Sequence, residues 1–219
     1  MVNVGAGTGA YEPEDRPVVA VEPSAAMIAA RPSGAAPVVQ ASAESLPFAA
    51  AEFDAGLGIL TMQHWQDVPK GLAELRRVAR RRIVLLTWDP EFDDALWLTQ
   101  RYFPQIRAWD RRRFPALAAV AAVLGDLEVV PVPIPHDCSD GFLGCFWRHP
   151  EAYLDAEVRF GMSGFHALDE ATTEAGVERL RADLVGGEWE RRFGHLRGRR
   201  ELDLGYRLLV AGGGGGESG

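Results

Sequence analysis

Three alternating glycines, at positions 5, 7 and 9, follow a short apolar run at the start of the chain. Glycine allows the backbone to turn tightly and to approach a ligand with no side chain in between. A second apolar run, residues 18–21, ends at Glu22, whose carboxylate can accept hydrogen bonds from the two hydroxyl groups of a ribose. These residue types, in this order, indicate a binding site for a nucleoside.

The segment after the glycines distinguishes two kinds of nucleoside ligand. Residues 5–10 also satisfy the loose dinucleotide pattern G-x-G-x-x-G/A, but a pyrophosphate needs a helix N-terminus behind the glycines. Residues 10–17 are short for a crossover connection, contain two prolines and carry three acidic side chains. The sequence therefore favours a cationic sulfonium ligand over a dinucleotide at this turn.

Apolar runs and helix signals alternate through the first half of the chain. Ser24 and Asp67 are predicted N-caps of the helices after the second and fourth strands. The alternation predicts an open α/β sheet with helices on both faces, in which ligands bind at the carboxyl ends of the strands. The strands are predicted at residues 2–4, 18–21, 38–40, 55–60 and 83–86, with a last strand at 204–211.

Motifs further along the chain carry a family resemblance. Residues 41–48, 52–54 and 60–65, together with the glycine turn and Glu22, resemble successive motifs of class I S-adenosylmethionine-dependent methyltransferases of the small-molecule type. The resemblance is specific over residues 2–90. It implies a Rossmann-like open sheet, mostly parallel with a final antiparallel strand, and a helical insert after the fifth strand.

The resemblance also implies where S-adenosylmethionine is held. Its methionine part would lie on Gly5, Ala6 and Gly7 and beside Gly58 and Ile59 at the end of the fourth strand.

The remaining cofactor contacts implied by the resemblance concern the ribose and the adenine. Glu22 would hold the ribose hydroxyls, and Pro23 and Met27 would pack near the adenine. Ser42 and Ala43 match the positions that meet the adenine edge.

The chain departs from the family pattern in its first residues and in the adenine segment. Asn3 stands where the family usually has an acid, and Ser42 stands where Asp is common. The family usually carries helices before the first strand, whereas here Met1 lies on the strand itself. We therefore expect a chain shortened at its N-terminus, with the alternative that the insert from about Glu91 to Gly194 covers the cofactor instead.

Methyl transfer from a sulfonium is an in-line displacement, so the enzyme mainly aligns the nucleophile, the methyl carbon and the leaving sulfur. A general base is needed only if the acceptor must lose a proton. His64 is the candidate for that base and for a substrate contact, with a hydrogen-bonded histidine at a helix start as the structural alternative. Trp88, Phe142 and Trp147 are candidates for an apolar substrate pocket, with plain core packing as the alternative.

Two other functions remain open at this stage. The glycine pattern is compatible with a nicotinamide-dependent oxidoreductase, and the departures at Asn3 and Ser42 are compatible with a non-catalytic binding or scaffold protein. The two cysteines, Cys138 and Cys145, fit neither a redox CxxC motif nor a zinc knuckle, and we expect no metal site.

The organisation follows from these assignments. Residues 1–90 are predicted as the S-adenosylmethionine-binding half of one domain, and residues 91–203 as a helical, substrate-shaping insert with an edge strand. Residues 204–211 are predicted as the last strand of the sheet, and residues 212–219 as a disordered glycine-rich tail.

Composition limits the partners. The net charge of −8 and the pI near 5.2 argue against nucleic acid, because a phosphate-backbone binder needs a basic face. No apolar stretch reaches the roughly 20 residues that span a bilayer, and the N-terminus shows no signal-peptide pattern, so we expect a cytoplasmic protein without a membrane partner. The expected partner is a small-molecule methyl acceptor.

Overall fold

A computed structural model describes residues 1–93 and 96–214. The strands are β1 (Val2–Val4), β2 (Val19–Val21), β3 (Val38–Val39), β4 (Phe53–Ile59), β5 (Ala79–Trp88), β6 (Leu127–Pro131), β7 (Ile134–Pro135), β8 (Glu201–Leu202) and β9 (Tyr206–Gly212). The α-helices are α1 (Ala25–Ala29), α2 (Val68–Val78), α3 (Pro104–Arg113), α4 (Leu117–Leu124), α5 (Ala156–Phe160), α6 (Glu170–Val185) and α7 (Glu188–Phe193).

The main sheet has the strand order β3-β2-β1-β4-β5-β9-β6. Strands β1 to β5 pair in parallel, and Asn3 in β1 lies between Ala20 of β2 and Leu57 of β4. After β9, Gly213 N and Gly214 N donate hydrogen bonds to Arg81 O and Ala79 O of β5. The two segments therefore run in opposite directions there. The prediction of a mostly parallel, Rossmann-like sheet with a final antiparallel strand is confirmed.

Both predicted helix caps are confirmed. Ser24 caps α1, where its hydroxyl accepts from Met27 N, and Asp67 caps α2, where its carboxylate accepts from Lys70 N. Helix α2 is amphipathic, and Leu72, Leu75 and Val78 on its inner face are fully buried. The helical spacing of these apolar residues therefore positions α2 against the sheet.

The chain divides into two compact units. The first comprises Met1–Asp89, Phe114–Val130 and the segment from Arg207 onward, and its core contains Val2 and Val4 of β1 together with the buried face of α2. Helix α4 belongs to this unit, because Val120 and Leu124 are part of the same core. The predicted insert, residues 91–203, has other bounds than this division, since it includes Phe114–Val130.

The second unit comprises Pro90–Arg113 and Pro131–Tyr206. Three fully buried tryptophans form the centre of its core, with the Trp97 and Trp189 rings edge to face at a centroid distance of 5.3 Å. Strands β7 and β8 form a small antiparallel sheet of their own. This unit thus has an aromatic core separate from that of the first.

The predicted tail differs from the structure at its start. Gly212 is the last residue of β9, and Gly213 and Gly214 continue with hydrogen bonds of 2.8 and 2.9 Å to β5, so disorder does not begin at Gly212. Residues 215–219 lie outside the described residues. Within the ranges that are described, no helix has both the length and the apolar character needed to span a membrane.

Candidate functional site

The carboxyl ends of five parallel strands meet at one edge of the first unit's sheet. The chain leaves each of these strands through residues that the sequence analysis assigned to a ligand. The structure thereby brings together, at the ends of β1 to β5 in turn, Gly5, Ala6 and Gly7, then Glu22, Pro23 and Met27, then Ser42 and Ala43, then Gly58, Ile59 and His64, and finally Trp88.

The glycine turn after β1 has a backbone that other residues would not adopt readily. Gly5, Gly7 and Gly9 all have positive φ, at +72°, +53° and +91°. A Cβ on Gly5 would lie 1.7 Å from Thr61 Oγ1, whereas a Cβ on Gly7 would meet no atom within 4 Å. Gly5 is therefore required by close packing, and Gly7 borders open space on the side where a ligand could lie.

The Glu22 carboxylate is buried and held in one orientation by the backbone. Oε2 accepts from Gly7 N at 2.9 Å and Oε1 accepts from Ser24 N at 2.9 Å, and Glu22 is only 7% exposed. A carboxylate has about four lone-pair positions, so each oxygen retains one acceptor position after these bonds. The two remaining positions match the two hydroxyl groups of a ribose.

The sequence predicts no α-helix directly after the glycine turn, and the structure has none there. Residues 10–17 form turns and a bend, and the other residues of this segment have no regular structure. Its acids are largely neutralised, because Glu12 pairs with Arg31 and Asp15 pairs with Arg16. The negative charge of this segment is therefore smaller than the sequence predicted. What disfavours a pyrophosphate is instead the absence of a helix N-terminus in residues 10–17.

The residues predicted for the adenine surround the ends of β2 and β3. Met27 on α1 is 48% exposed and Pro23 is exposed, so both offer uncovered apolar surface. The Ser42 hydroxyl hydrogen-bonds to Glu44. Burial raises the pKa of Glu44, but this hydrogen bond and several backbone N–H donors outweigh burial and lower that pKa below its usual value.

The end of β4 contains residues that the sequence analysis did not single out. Leu60 has a positive φ of +47°, which is uncommon for a residue other than glycine. Thr61 is buried against Gly5, and its Oγ1 accepts from Trp65 Nε1 at 3.1 Å. Positive φ at a leucine and the contact of Thr61 with Gly5 depend on tertiary packing, so local sequence patterns carry no signal for them.

His64 lies in a short 3₁₀ turn, Met62–His64, at this same edge. Its side chain is exposed, and its backbone N donates to Thr61 O at 2.9 Å. Trp88, at the end of β5, is half-buried and packs edge to face against Phe114, with ring centroids 5.6 Å apart. The assignment of His64 as base or substrate contact stays a prediction.

The other two predicted substrate residues belong to the second unit. Phe142 is half-buried and packs against Tyr206 at a centroid distance of 4.9 Å. Trp147 is completely buried, and its Nε1 donates to Ile134 O at 3.0 Å. Core packing, the alternative given above, accounts for both the burial and the hydrogen bond of Trp147.

The cysteines are positioned as packing residues. Cys138 is half-buried and Cys145 is buried, with their Sγ atoms 2.9 Å apart. Burial, together with the neighbouring Cys138 thiol, raises the pKa of Cys145 to about 12, which disfavours the reactive thiolate. In residues 1–93 and 96–214, no three His, Cys, Asp or Glu side chains are grouped so as to hold a metal ion.

Comparisons with known proteins bear on the family and the fold of this chain. A family model described as a methyltransferase domain matches residues 2–86. A solved candidate methyltransferase from an antibiotic biosynthesis pathway of Anabaena variabilis is 35% identical, with a TM-score of 0.88 over 96% of this chain and 89% of that one. No protein among those with curated descriptions matches the sequence.

More distant structures share the fold alone. A candidate histamine N-methyltransferase of Thermotoga maritima is 14% identical, with a TM-score of 0.54 over 97% of this chain and 80% of that one. The [4+2]-cyclase SpnF is 13% identical, with a TM-score of 0.50 over 98% of this chain and 75% of that one. The family match and the 35% identical Anabaena relative together show that the chain belongs to the class I S-adenosylmethionine-dependent methyltransferases.

Proposed function

We propose that this protein transfers a methyl group from S-adenosylmethionine to a small organic molecule. The observation that carries the proposal is the Glu22 carboxylate, buried at the end of β2 and fixed by Gly7 N and Ser24 N beside an open glycine turn. Its two unused acceptor positions suit the ribose hydroxyls, and the exposed Met27 offers an apolar surface for the adenine. These residues fit the cofactor that the family binds.

The chain's own residues position the reactants. The cofactor, when bound, supplies an electrophilic methyl group on a sulfonium. Glu22 would fix the ribose, and Gly5, Ala6 and Gly7 would let the amino-acid part approach the backbone. Orientation of this kind can lower a barrier by about 7–11 kcal/mol. His64, exposed at the same edge, would accept the proton of an acceptor that must lose one.

A small organic acceptor is the substrate class that the composition supports. The net charge of −8 disfavours a nucleic acid substrate. The Anabaena relative is assigned to an antibiotic biosynthesis pathway, and we extend to this chain only the corresponding class of substrate, a small molecule. The nicotinamide alternative is disfavoured because residues 10–17 offer no helix N-terminus to a pyrophosphate.

Label transfer tests the proposed reaction. The protein is incubated with S-adenosylmethionine labelled in the methyl group and a cell extract, and the products are separated by dialysis. We expect an enzyme-dependent labelled product in the diffusible fraction that chromatography separates from the remaining S-adenosylmethionine, together with S-adenosylhomocysteine as the second product. Enzyme-dependent transfer of label only to retained protein or nucleic acid would contradict the assignment of a small-molecule acceptor.

A further inference from the structure

We propose that the buried ion pair between Glu12 and Arg31 is a positioning device that holds the glycine turn in its binding conformation. Arg31 follows α1, and Glu12 lies in the non-helical segment after the glycines. The inference deepens the proposed function, because it assigns control of cofactor affinity to two residues that need not touch the cofactor. Neither residue was a candidate in the sequence analysis.

The pair is directly bonded to the turn. Arg31 Nη2 lies 2.6 Å from Glu12 Oε1, and Arg31 Nη1 donates to Gly7 O at 3.1 Å. Two further bonds attach the loop before β3, since Arg31 Nη2 donates to Ala36 O at 3.0 Å and Ala36 N donates to Glu12 Oε2 at 3.0 Å. One guanidinium and one carboxylate therefore join the glycine turn, the segment after it, the end of α1 and the loop before β3.

The Gly7 residue connects this pair to the proposed ribose site. The carbonyl of Gly7 accepts from Arg31, while its N–H donates to Glu22 Oε2 at 2.9 Å. Gly9 packs on the pair as well, because a Cβ there would lie 3.2 Å from both Arg31 Nη1 and Glu12 Oε2. Movement of Arg31 would consequently displace both the turn and the N–H group that orients Glu22.

The burial of the Glu12–Arg31 pair indicates that it positions the glycine turn more than it stabilises the fold. The Arg31 and Glu12 side chains are 5% and 8% exposed. Desolvation offsets much of the attraction in buried ion pairs, and apolar residues of similar volume often replace them at no cost in stability. Apolar side chains could fill this space, but they could not donate to Gly7 O. The fork of the guanidinium, with several donors in a fixed plane, suits this multiple bonding.

The need for such a device follows from the local fold. Residues 10–17 contain no helix, so this segment provides no helix that could pack behind the glycines and fix their backbone. Hydrogen bonds fix that backbone instead: Arg31 donates to Gly7 and Ala36, and Ala36 donates to Glu12.

The double variant Arg31→Met/Glu12→Met tests the inference, because it removes both charges and leaves neither buried alone. We expect it to remain folded, to bind S-adenosylhomocysteine at least tenfold more weakly, and to exchange the amide hydrogens of residues 5–9 at least tenfold faster. Exchange in the buried strand β5 should stay unchanged. The exposed pair of Arg181 and Glu178, replaced in the same way, serves as the matched control and should alter neither measurement.

If the double variant does not fold, a second variant tests the same inference. Arg31→Lys retains the charge beside Glu12 but lacks the planar fork, so we expect a folded protein with weakened cofactor binding and faster exchange at residues 5–9. Unchanged exchange at residues 5–9 in the folded variant would overturn the inference. Because exchange needs no ligand, that result is distinct from a failure of the wild-type protein to bind S-adenosylhomocysteine, which would instead count against the proposed function.

Discussion

Replacement of Glu22 by Ala is expected to weaken the binding of S-adenosylhomocysteine about a hundredfold. The carboxylate is held by Gly7 N and Ser24 N so that one acceptor position on each oxygen remains for a ribose hydroxyl. Hydrogen bonds to charged groups contribute roughly 1.5–3 kcal/mol each, and every 1.4 kcal/mol is about a tenfold change in affinity. Loss of two such bonds therefore gives at least this effect, measured by isothermal titration calorimetry.

Two controls separate the ribose contact from a general change in charge. Glu14, an exposed acid in the segment after the glycine turn, should give unchanged binding when replaced by Ala. Glu22→Gln retains one carbonyl oxygen and should bind with intermediate affinity. Binding to Glu22→Ala within twofold of the wild-type value would show that the ribose lies elsewhere.

Replacement of Gly5 by Ala is expected to give the largest loss of stability among single changes at the turn. The new Cβ would lie 1.7 Å from Thr61 Oγ1, on a backbone with a φ of +72°. Overpacking costs about 1–3 kcal/mol and a left-handed backbone about 1–2 kcal/mol, so the free energy of unfolding should fall by about 2–5 kcal/mol. Chemical unfolding measures the change, and S-adenosylhomocysteine binding should weaken with it.

Gly7→Ala is the matched control for this prediction. Gly7 also has a positive φ, +53°, but its Cβ would meet no atom within 4 Å. We therefore expect only the cost of the backbone, about 1–2 kcal/mol. Equal destabilisation by the two variants would mean that the contact between Gly5 and Thr61 does not determine the residue at position 5.

The parts of the fold that were predictable depend on local patterns. Short apolar runs identified the strands β1 to β5, and Ser24 and Asp67 marked helix starts through hydrogen bonds within one turn. Because parallel strands place their carboxyl ends at one edge, the same patterns located the cofactor candidates of the first unit together. Their individual roles toward the cofactor stay predictions.

The parts that were missed depend on contacts between residues distant in sequence. Glu12 and Arg31 pair across 19 positions, and no periodic pattern connects them. Helix α4 belongs to the first unit because its apolar face packs on that unit's core, although it follows part of the second unit in sequence. Gly213 and Gly214 are ordered by hydrogen bonds to β5, which composition alone did not reveal.

Calorimetric titration of the wild-type protein with S-adenosylhomocysteine and, separately, with NAD tests the central claim most directly. If the ribose site at Glu22 and the glycine turn hold the family's cofactor, S-adenosylhomocysteine should bind saturably and NAD should give no binding heat. Binding of NAD alone would contradict the account in favour of a dinucleotide enzyme. The absence of binding heat with both ligands would also contradict the account, and would favour a protein that keeps the fold without binding the cofactor.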